Sequence, residues 1–265
     1  MLGSLFLALV AGCRPPLLVA YLLAIPILWD YTFKDRKLFS KKSWKKTLCF
    51  IIPFVIIALG LMYYNYERFG SPFDFGANYN LTTNDMTKRG IKFDRIFLGL
   101  YSYLFEPARI TTIFPFIQNY SVQTSYIGKT ISENMYGGFF FCNLICVLGL
   151  LCFKFKKVIN NKELFSISII GIISSIIIVL MDTQVAGILS RYMLDFGWLI
   201  LISTIIVVMS LWNKYKDCKN LCSIIYWLII LSIIYNIFVY FSYDSLWYYN
   251  DYLFYKVYYS TMFWL

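Results

Sequence analysis

The chain lacks histidine altogether and contains few charged residues. Without histidine it has no imidazole general base, no Ser-His or Cys-His nucleophile pair and no His-ligated metal or haem. Charged residues make up 14% of the 265 positions, against roughly 25% in a typical soluble domain. This deficit argues against a soluble enzyme, a disordered protein and a nucleic-acid-binding module. The seven cysteines form no CxxC motif, so we expect packing roles for them, with no metal site and no cofactor.

Apolar residues take the place of the missing charge. Hydrophobic residues account for 60% of the chain and aromatic residues for 20%, and the mean hydropathy is +0.65. A transmembrane helix needs about 20 apolar residues, with roughly 17–25 accepted. Five nearly charge-free runs meet this requirement: 48–64, 136–153, 164–181, 194–212 and 221–241. The third run is an Ile/Ser/Gly run, whose small residues let neighbouring helix backbones approach closely.

Two shorter apolar pieces, 2–12 and 17–29, are separated by Arg14-Pro15-Pro16. Proline removes a backbone donor and restricts the preceding residue, so we expect two short helices joined by a turn at the membrane face. The sequence as a whole predicts an all-α integral membrane protein. It would have about 6–7 transmembrane or half-membrane helices and one long extracytoplasmic loop.

The positions of the cations predict the orientation of these helices. Of the 24 Lys and Arg residues, 14 fall in the short segments 30–47, 154–163 and 213–220. This is the positive-inside pattern, so we expect those three segments to be cytoplasmic loops of a multi-pass cell-membrane protein. Strict alternation then puts 65–135, 182–193 and 242–265 outside.

The chain divides into four regions on this basis: N-terminal membrane helices (1–64), an extracytoplasmic loop (65–135), a four-helix membrane region (136–241) and an aromatic tail (242–265). The loop contains two apolar patches, 96–105 and 110–117, which we interpret as interfacial or re-entrant helices because each is too short to span. The aromatic tail is typical of an interfacial segment. It would serve as an anchor or as a wall of an acceptor site.

Several polar side chains lie in segments predicted to be at the outer face. Turn residues at 70–72 would place Glu67, Arg68 and Asp74 around a tight bend. Arg191 and Asp195 are four positions apart and would share a helical face. The two residues form a local ion pair that eases the entry of Asp195 into the membrane, or else Arg191 binds a lipid phosphate.

Short motifs in these regions resemble the middle and late parts of bacterial GT-C glycosyltransferases. These multi-pass enzymes use polyprenyl-phosphate sugars and are related to protein mannosyltransferases and aminoarabinose transferases. The motifs are Gly12-Cys13-Arg14-Pro15-Pro16, the Tyr64–Gly76 stretch, Tyr103-Leu104-Phe105-Glu106-Pro107, Phe114-Pro115-Phe116-Ile117 and Ser190-Arg191-Tyr192.

The resemblance implies a particular chemistry. An outer carboxylate would deprotonate an acceptor hydroxyl, which attacks the anomeric carbon while polyprenyl phosphate leaves, and cations would stabilise the departing phosphate. The candidates for the base are Glu67, Asp74 and Glu106. The phosphate-binding candidates are Arg14, Arg68, Arg109 and Arg191. The expected partners are membrane lipid and a polyprenyl-phosphate sugar donor.

The chain departs from the family at its N-terminus. The family takes its catalytic carboxylate from the first outer loop, whereas no acidic residue here precedes Asp30, which is predicted to be cytoplasmic. The chain is therefore either the C-terminal part of a longer or split enzyme with an upstream partner, or a divergent relative without the usual base. A non-catalytic membrane scaffold or partner-binding subunit is the alternative function. A proton-relay transporter is disfavoured because the long runs hold almost no ionisable residues.

Overall fold

The computed structural model is a bundle of helices with little sheet. It describes residues 2–29, 44–76, 79, 91–112, 114–122, 125–126, 129–130, 134–242 and 260. Loop 30–43 and most of the aromatic tail thus lie outside the described residues. Within the described part, four helices are long and apolar enough to cross a membrane: Trp44–Phe69, Lys162–Val185, Ser190–Tyr215 and Lys219–Phe241.

The helices follow one another as α1 (Leu2–Cys13), a 3₁₀ helix (Pro15–Leu23), α2 (Ala24–Leu28), α3 (Trp44–Phe69), α4 (Asp94–Leu100), a π-helical turn (Tyr101–Phe105), α5 (Phe139–Cys142), a 3₁₀ turn (Leu144–Cys146), α6 (Val147–Leu150), a 3₁₀ turn (Cys152–Phe155), α7 (Lys156–Ile159), α8 (Lys162–Val185), a 3₁₀ turn (Ser190–Tyr192), α9 (Met193–Tyr215) and α10 (Lys219–Phe241). The break predicted at Arg14-Pro15-Pro16 is confirmed. The segment after it is 3₁₀-helical before it becomes α2.

Helices α8 and α9 form the centre of the bundle. Small residues let their backbones meet: a Cβ on Gly171 would lie 2.7 Å from the Ser203 hydroxyl oxygen, and that hydroxyl donates to the Ser168 carbonyl at 2.9 Å. The close approach predicted for this Ile/Ser/Gly helix is therefore confirmed. Around this contact lies an apolar core that includes Ile178 and Phe196, both fully buried.

The prediction of one continuous helix over 136–153 is wrong. The chain passes from α5 through 3₁₀ turns to α6 and α7, and Asn143 leaves the helical region with φ −134° and ψ 72°. Polar side chains of α10 satisfy the backbone groups freed by this break. Ser232 Oγ accepts from the Ile145 amide at 3.3 Å, and Asn236 Nδ2 donates to the Cys142 carbonyl at 2.7 Å. A broken helix is tolerated at membrane depth when neighbouring helices supply such partners.

The segment predicted to be the outer loop contains short strands as well as helices. The patch 96–105 is helical, in α4 and the π-helical turn, as predicted. The prediction of a helix over 110–117 is wrong, since Arg109–Ile110 and Ile117–Gln118 are paired strands. Thr111 and Thr112 are β-branched, which lowers helix propensity, and Pro115 has no amide hydrogen to donate within a helix. The strands are β1 (Arg109–Ile110), β2 (Ile117–Gln118), β3 (Tyr120–Ser121), β4 (Ser125–Tyr126), β5 (Lys129–Thr130) and β6 (Asn134–Met135), paired antiparallel as β1–β2, β3–β6 and β4–β5.

The bundle has two distinct ends. At one, which we call the lysine-rich end, the segments 154–163 and 213–220 meet, and Lys214 Nζ donates to the Lys157 carbonyl at 3.3 Å. At the other, the acidic end, α8 finishes and α9 begins, with Asp182 and Asp195. The β-strand region lies at the acidic end, where the Ser242 hydroxyl donates to the Ile117 carbonyl at 3.1 Å.

Candidate functional site

Arg14 lies in the turn between α1 and the 3₁₀ helix, at the acidic end. Its Nη2 is 2.7 Å from Asp195 Oδ2 on α9. The guanidinium carbon also lies 3.9 Å from the centroid of the Tyr192 ring, a cation–π contact. Arg14 therefore connects the N-terminal helices to the central pair through one ion pair and one aromatic face.

The predicted pairing of Arg191 with Asp195 is wrong. Asp195 pairs with Arg14, which is 181 positions away in the chain. Arg191 belongs to the 3₁₀ turn Ser190–Tyr192 and not to α9, so the spacing of four does not align the two side chains. The guanidinium of Arg191 lies instead 5.4 Å from the Tyr192 ring centroid. A long-range ion pair, not a local one, accompanies the entry of Asp195 into the bundle.

Asp182 is the residue that sequence reasoning missed at this site. It lies in the last turn of α8, is 2% exposed, and its side chain interacts with that of Asp195, which is 6% exposed. Its Oδ2 makes no hydrogen bond within the part of the chain that the structure describes. A signal was available: a carboxylate near a helix C-terminus opposes the helix dipole, so its presence there calls for an explanation.

Tyr103 holds the connection between α8 and α9 in place. This residue is fully buried, its hydroxyl donates to the Gly187 carbonyl at 3.0 Å, and it accepts from the Leu189 amide at 2.9 Å. A second tie lies nearby, since Gln184 exchanges two hydrogen bonds with the backbone of Lys92 at 2.8 and 3.0 Å. The segments that contain Lys92 and Tyr103 are thus joined to the end of α8.

Glu106 and Arg109 come together around Tyr120. The Glu106 carbonyl accepts from the Gly138 amide at 2.8 Å, which fixes its backbone. Its carboxylate contacts the side chain of Tyr120, and the guanidinium of Arg109 lies 4.8 Å from the ring centroid of Tyr120. One base candidate and one phosphate candidate are therefore neighbours.

Two polar atoms in this group have unused hydrogen-bonding capacity. The Oε2 of Glu106 and the hydroxyl of Tyr120 are buried, and neither makes a hydrogen bond of normal geometry to a described residue. Burial, followed by the negative charge of Glu106, raises the pKa of the Tyr120 hydroxyl above its usual value. That hydroxyl therefore stays protonated.

The remaining candidates are not drawn into the group around Tyr120 by any described contact. Glu67 and Arg68 belong to the last turn of α3, which extends to Phe69 beyond the predicted helix end. Arg68 Nη1 donates to the Tyr64 hydroxyl at 2.8 Å. Asp74 Oδ1 accepts from the Gly76 amide at 2.8 Å, which stabilises the turn after α3.

An apolar cavity of about 190 Å³ lies between α1, the 3₁₀ helix and α3. Gly12 and Pro15, which flank Arg14, belong to its wall, and the rings of Phe73 and Phe75 line it as well.

Within the described residues, no group of three or more His, Cys, Asp or Glu side chains could hold a metal ion. Comparisons of the chain with family models, with curated proteins and with solved structures find no match.

Proposed function

We propose that this chain is a multi-pass protein of the cell membrane, with its lysine-rich end in the cytoplasm and its acidic end outside. The convergence of segments 154–163 and 213–220 supports this orientation, since lysines concentrate on the cytoplasmic side of membrane proteins. The segment 30–47 would join them there. The N-terminal pair and the broken 136–159 segment would add to the four long helices and give about 6–7 transmembrane or half-membrane elements.

At the outside end, the chain would act as a GT-C-type membrane glycosyltransferase-like protein on a lipid-phosphate-linked sugar. One observation carries this proposal. The Glu106 carboxylate lies beside Tyr120 with its Oε2 accepting no described hydrogen bond, and the Arg109 guanidinium contacts the same ring. A general base needs a free acceptor atom near the substrate hydroxyl, and a departing phosphate needs a cation. Glu106 would take the proton and Arg109 would stabilise the polyprenyl phosphate.

The other candidates carry less of the proposed chemistry. Asp74 is occupied in a turn, and Arg14 is occupied by Asp195. Arg68 packs on aromatic rings at the end of α3. Arg68 and Arg191 would add positive potential at the surface, where an anionic lipid head group approaches.

Binding of polyprenyl phosphate to the purified full chain tests this proposal directly. Arg109→Ala should weaken binding by about tenfold, the effect of losing one charge-assisted hydrogen bond. Arg109→Lys should be intermediate because it keeps the charge but loses the planar fork. Lys216→Ala, an exposed cation at the opposite end, is the matched control and should bind normally. Equal affinity in all four proteins would contradict the proposed role of Arg109.

A non-catalytic scaffold or partner-binding subunit is the second candidate function. Helices α3 and α10 favour this second function, since only 11% of the apolar 18-residue stretch of each is buried in the bundle. Such open faces are available to lipid or to another membrane protein, including an upstream half of a split enzyme. Incubation of the purified chain with polyprenyl-phosphate sugars and an acceptor separates the two. Release of polyprenyl phosphate supports the transferase. Normal lipid binding without this release favours the subunit.

A further inference from the structure

Asp182, Asp195 and Arg14 form a buried cluster in which the charges do not balance. Two carboxyl groups interact with each other, and one guanidinium contacts the second of them at 2.7 Å. Both aspartates are more than nine-tenths buried, at 2% and 6% exposure. With both carboxyls ionised, the cluster would hold one uncompensated negative charge away from water.

Other charged groups lie on the elements packed around this cluster. These are Lys92, Asp94 and Arg95 at the start of α4, and Arg191 in the turn before α9. The charge interactions of the two carboxyls with described residues, however, are with Arg14 and with each other. Among the residues that the structure describes, Arg14 is thus the cation that interacts with the two carboxyls, and one negative charge stays uncompensated.

A bound proton would balance that charge. Two carboxylates in contact within a buried site do not both ionise readily, and a single shared proton turns their repulsion into a hydrogen bond. Asp195 is the partner that keeps its negative charge, because Arg14 lies against it. Asp182 makes no ion pair with a described residue, and its Oδ2 makes no hydrogen bond there.

We propose that Asp182 and Asp195 form a proton-binding site, in which a protonated Asp182 donates a hydrogen bond to the ionised Asp195 carboxylate. Arg14 then neutralises Asp195, and the whole cluster has no net charge. The bound proton lets the end of α8 pack against the start of α9 and against the turn after α1. This inference is independent of the proposed glycosyltransferase activity.

Infrared spectroscopy of the full chain in detergent or nanodiscs tests the proposal. A protonated carboxylic acid gives a carbonyl band separate from those of carboxylates, and the band shifts in D₂O. We expect such a band at neutral pH in the wild type and its loss in Asp182→Asn. Asp217→Asn, which changes an exposed aspartate at the lysine-rich end, is the matched control and should keep the band. A wild-type spectrum without the band, or one that Asp182→Asn leaves unchanged, would overturn the proposal.

Thermal stability provides a second, independent readout. Asn has nearly the shape of a protonated Asp and keeps a donor, so Asp182→Asn should retain the melting temperature of the wild type. Asp195→Asn should lower it by several degrees, because it leaves Arg14 without its counterion. A variant Asp182→Asn that loses as much stability as Asp195→Asn would show that Asp182 is needed as an anion, which contradicts a bound proton.

Discussion

The hydroxyl of Tyr103 lies between the carbonyl of Gly187 and the amide of Leu189, at 3.0 and 2.9 Å. It therefore completes the backbone hydrogen bonding of the connection between α8 and α9. This connection carries the turn that leads to Asp195, so Tyr103 helps to order the acidic end of the bundle.

Tyr103→Phe should destabilise the protein by about 1–3 kcal/mol, since it leaves a buried backbone donor and acceptor without their partner. Thermal unfolding in detergent measures the change. Tyr101→Phe is the matched control: Tyr101 is 41% exposed, and its substitution should be nearly neutral. A Tyr103→Phe variant as stable as the control would show that water replaces the hydroxyl.

The packing of the broken helix against α9 gives a second prediction. A Cβ on Gly149 would lie 2.3 Å from Thr204 Oγ1 and 2.9 Å from the Thr204 amide nitrogen. Gly149→Ala should therefore cost about 1–3 kcal/mol through overpacking. Gly60→Ala, on α3, meets no atom within 4 Å and should be neutral or slightly stabilising, because alanine favours the helix. The two melting temperatures, compared with that of the wild type, check both expectations.

The sequence predicted the elements that depend on local patterns. The four long helices follow from uninterrupted apolar runs, and the break at Arg14 follows from the two prolines after it. The segment 136–153 resembled another such run because its residues are equally apolar. Its break depends on Ser232 and Asn236, which reach it from α10, and no local pattern contains that information.

The candidate site was predicted only in part for the same reason. Glu106 and Arg109 are close in sequence and do lie near one another. The pairing of Arg14 with Asp195 instead joins distant segments, and spacing alone favoured the wrong partner, Arg191. Asp182 fell just beyond a predicted span, so its burial against Asp195 became visible only when α8 and α9 packed together.

A double-mutant cycle on Arg14 and Asp195 should show strong coupling. Arg14→Met alone leaves a buried carboxylate without its cation, and we expect a loss of about 3 kcal/mol. That value is at the low end of the range for buried pairs because the Arg14 side chain is 32% exposed. Adding Asp195→Asn should recover much of the loss.

A matched control cycle uses Arg191 in place of Arg14 and keeps the same substitution at Asp195. Since the ion pair of Asp195 is with Arg14, the effects of Arg191→Met and Asp195→Asn should add to within about 0.5 kcal/mol. Coupling in this second cycle, with additivity in the first, would mean that the ion pair has been assigned to the wrong arginine.

Glu106→Gln should separate catalysis from binding. The amide keeps the size of the side chain but cannot accept the acceptor proton, so sugar transfer should fall by about 100-fold or more. Polyprenyl phosphate binding should change little, since Arg109 remains. Glu163→Gln, at the lysine-rich end, is the control and should transfer normally. Normal transfer by Glu106→Gln would remove Glu106 from the proposed mechanism.

Thiol labelling checks the orientation on which the outer site depends. Cys218 is exposed at the lysine-rich end, so in a variant lacking the exposed Cys13 and Cys49 it should react with a membrane-impermeant reagent only after permeabilisation. Glu67→Cys, placed in the last turn of α3 on the same background with Cys218→Ser, should label in intact cells. The opposite order would put Glu106 and Arg109 in the cytoplasm, on the wrong side for a donor presented outside, and the glycosyltransferase proposal would fail with the topology.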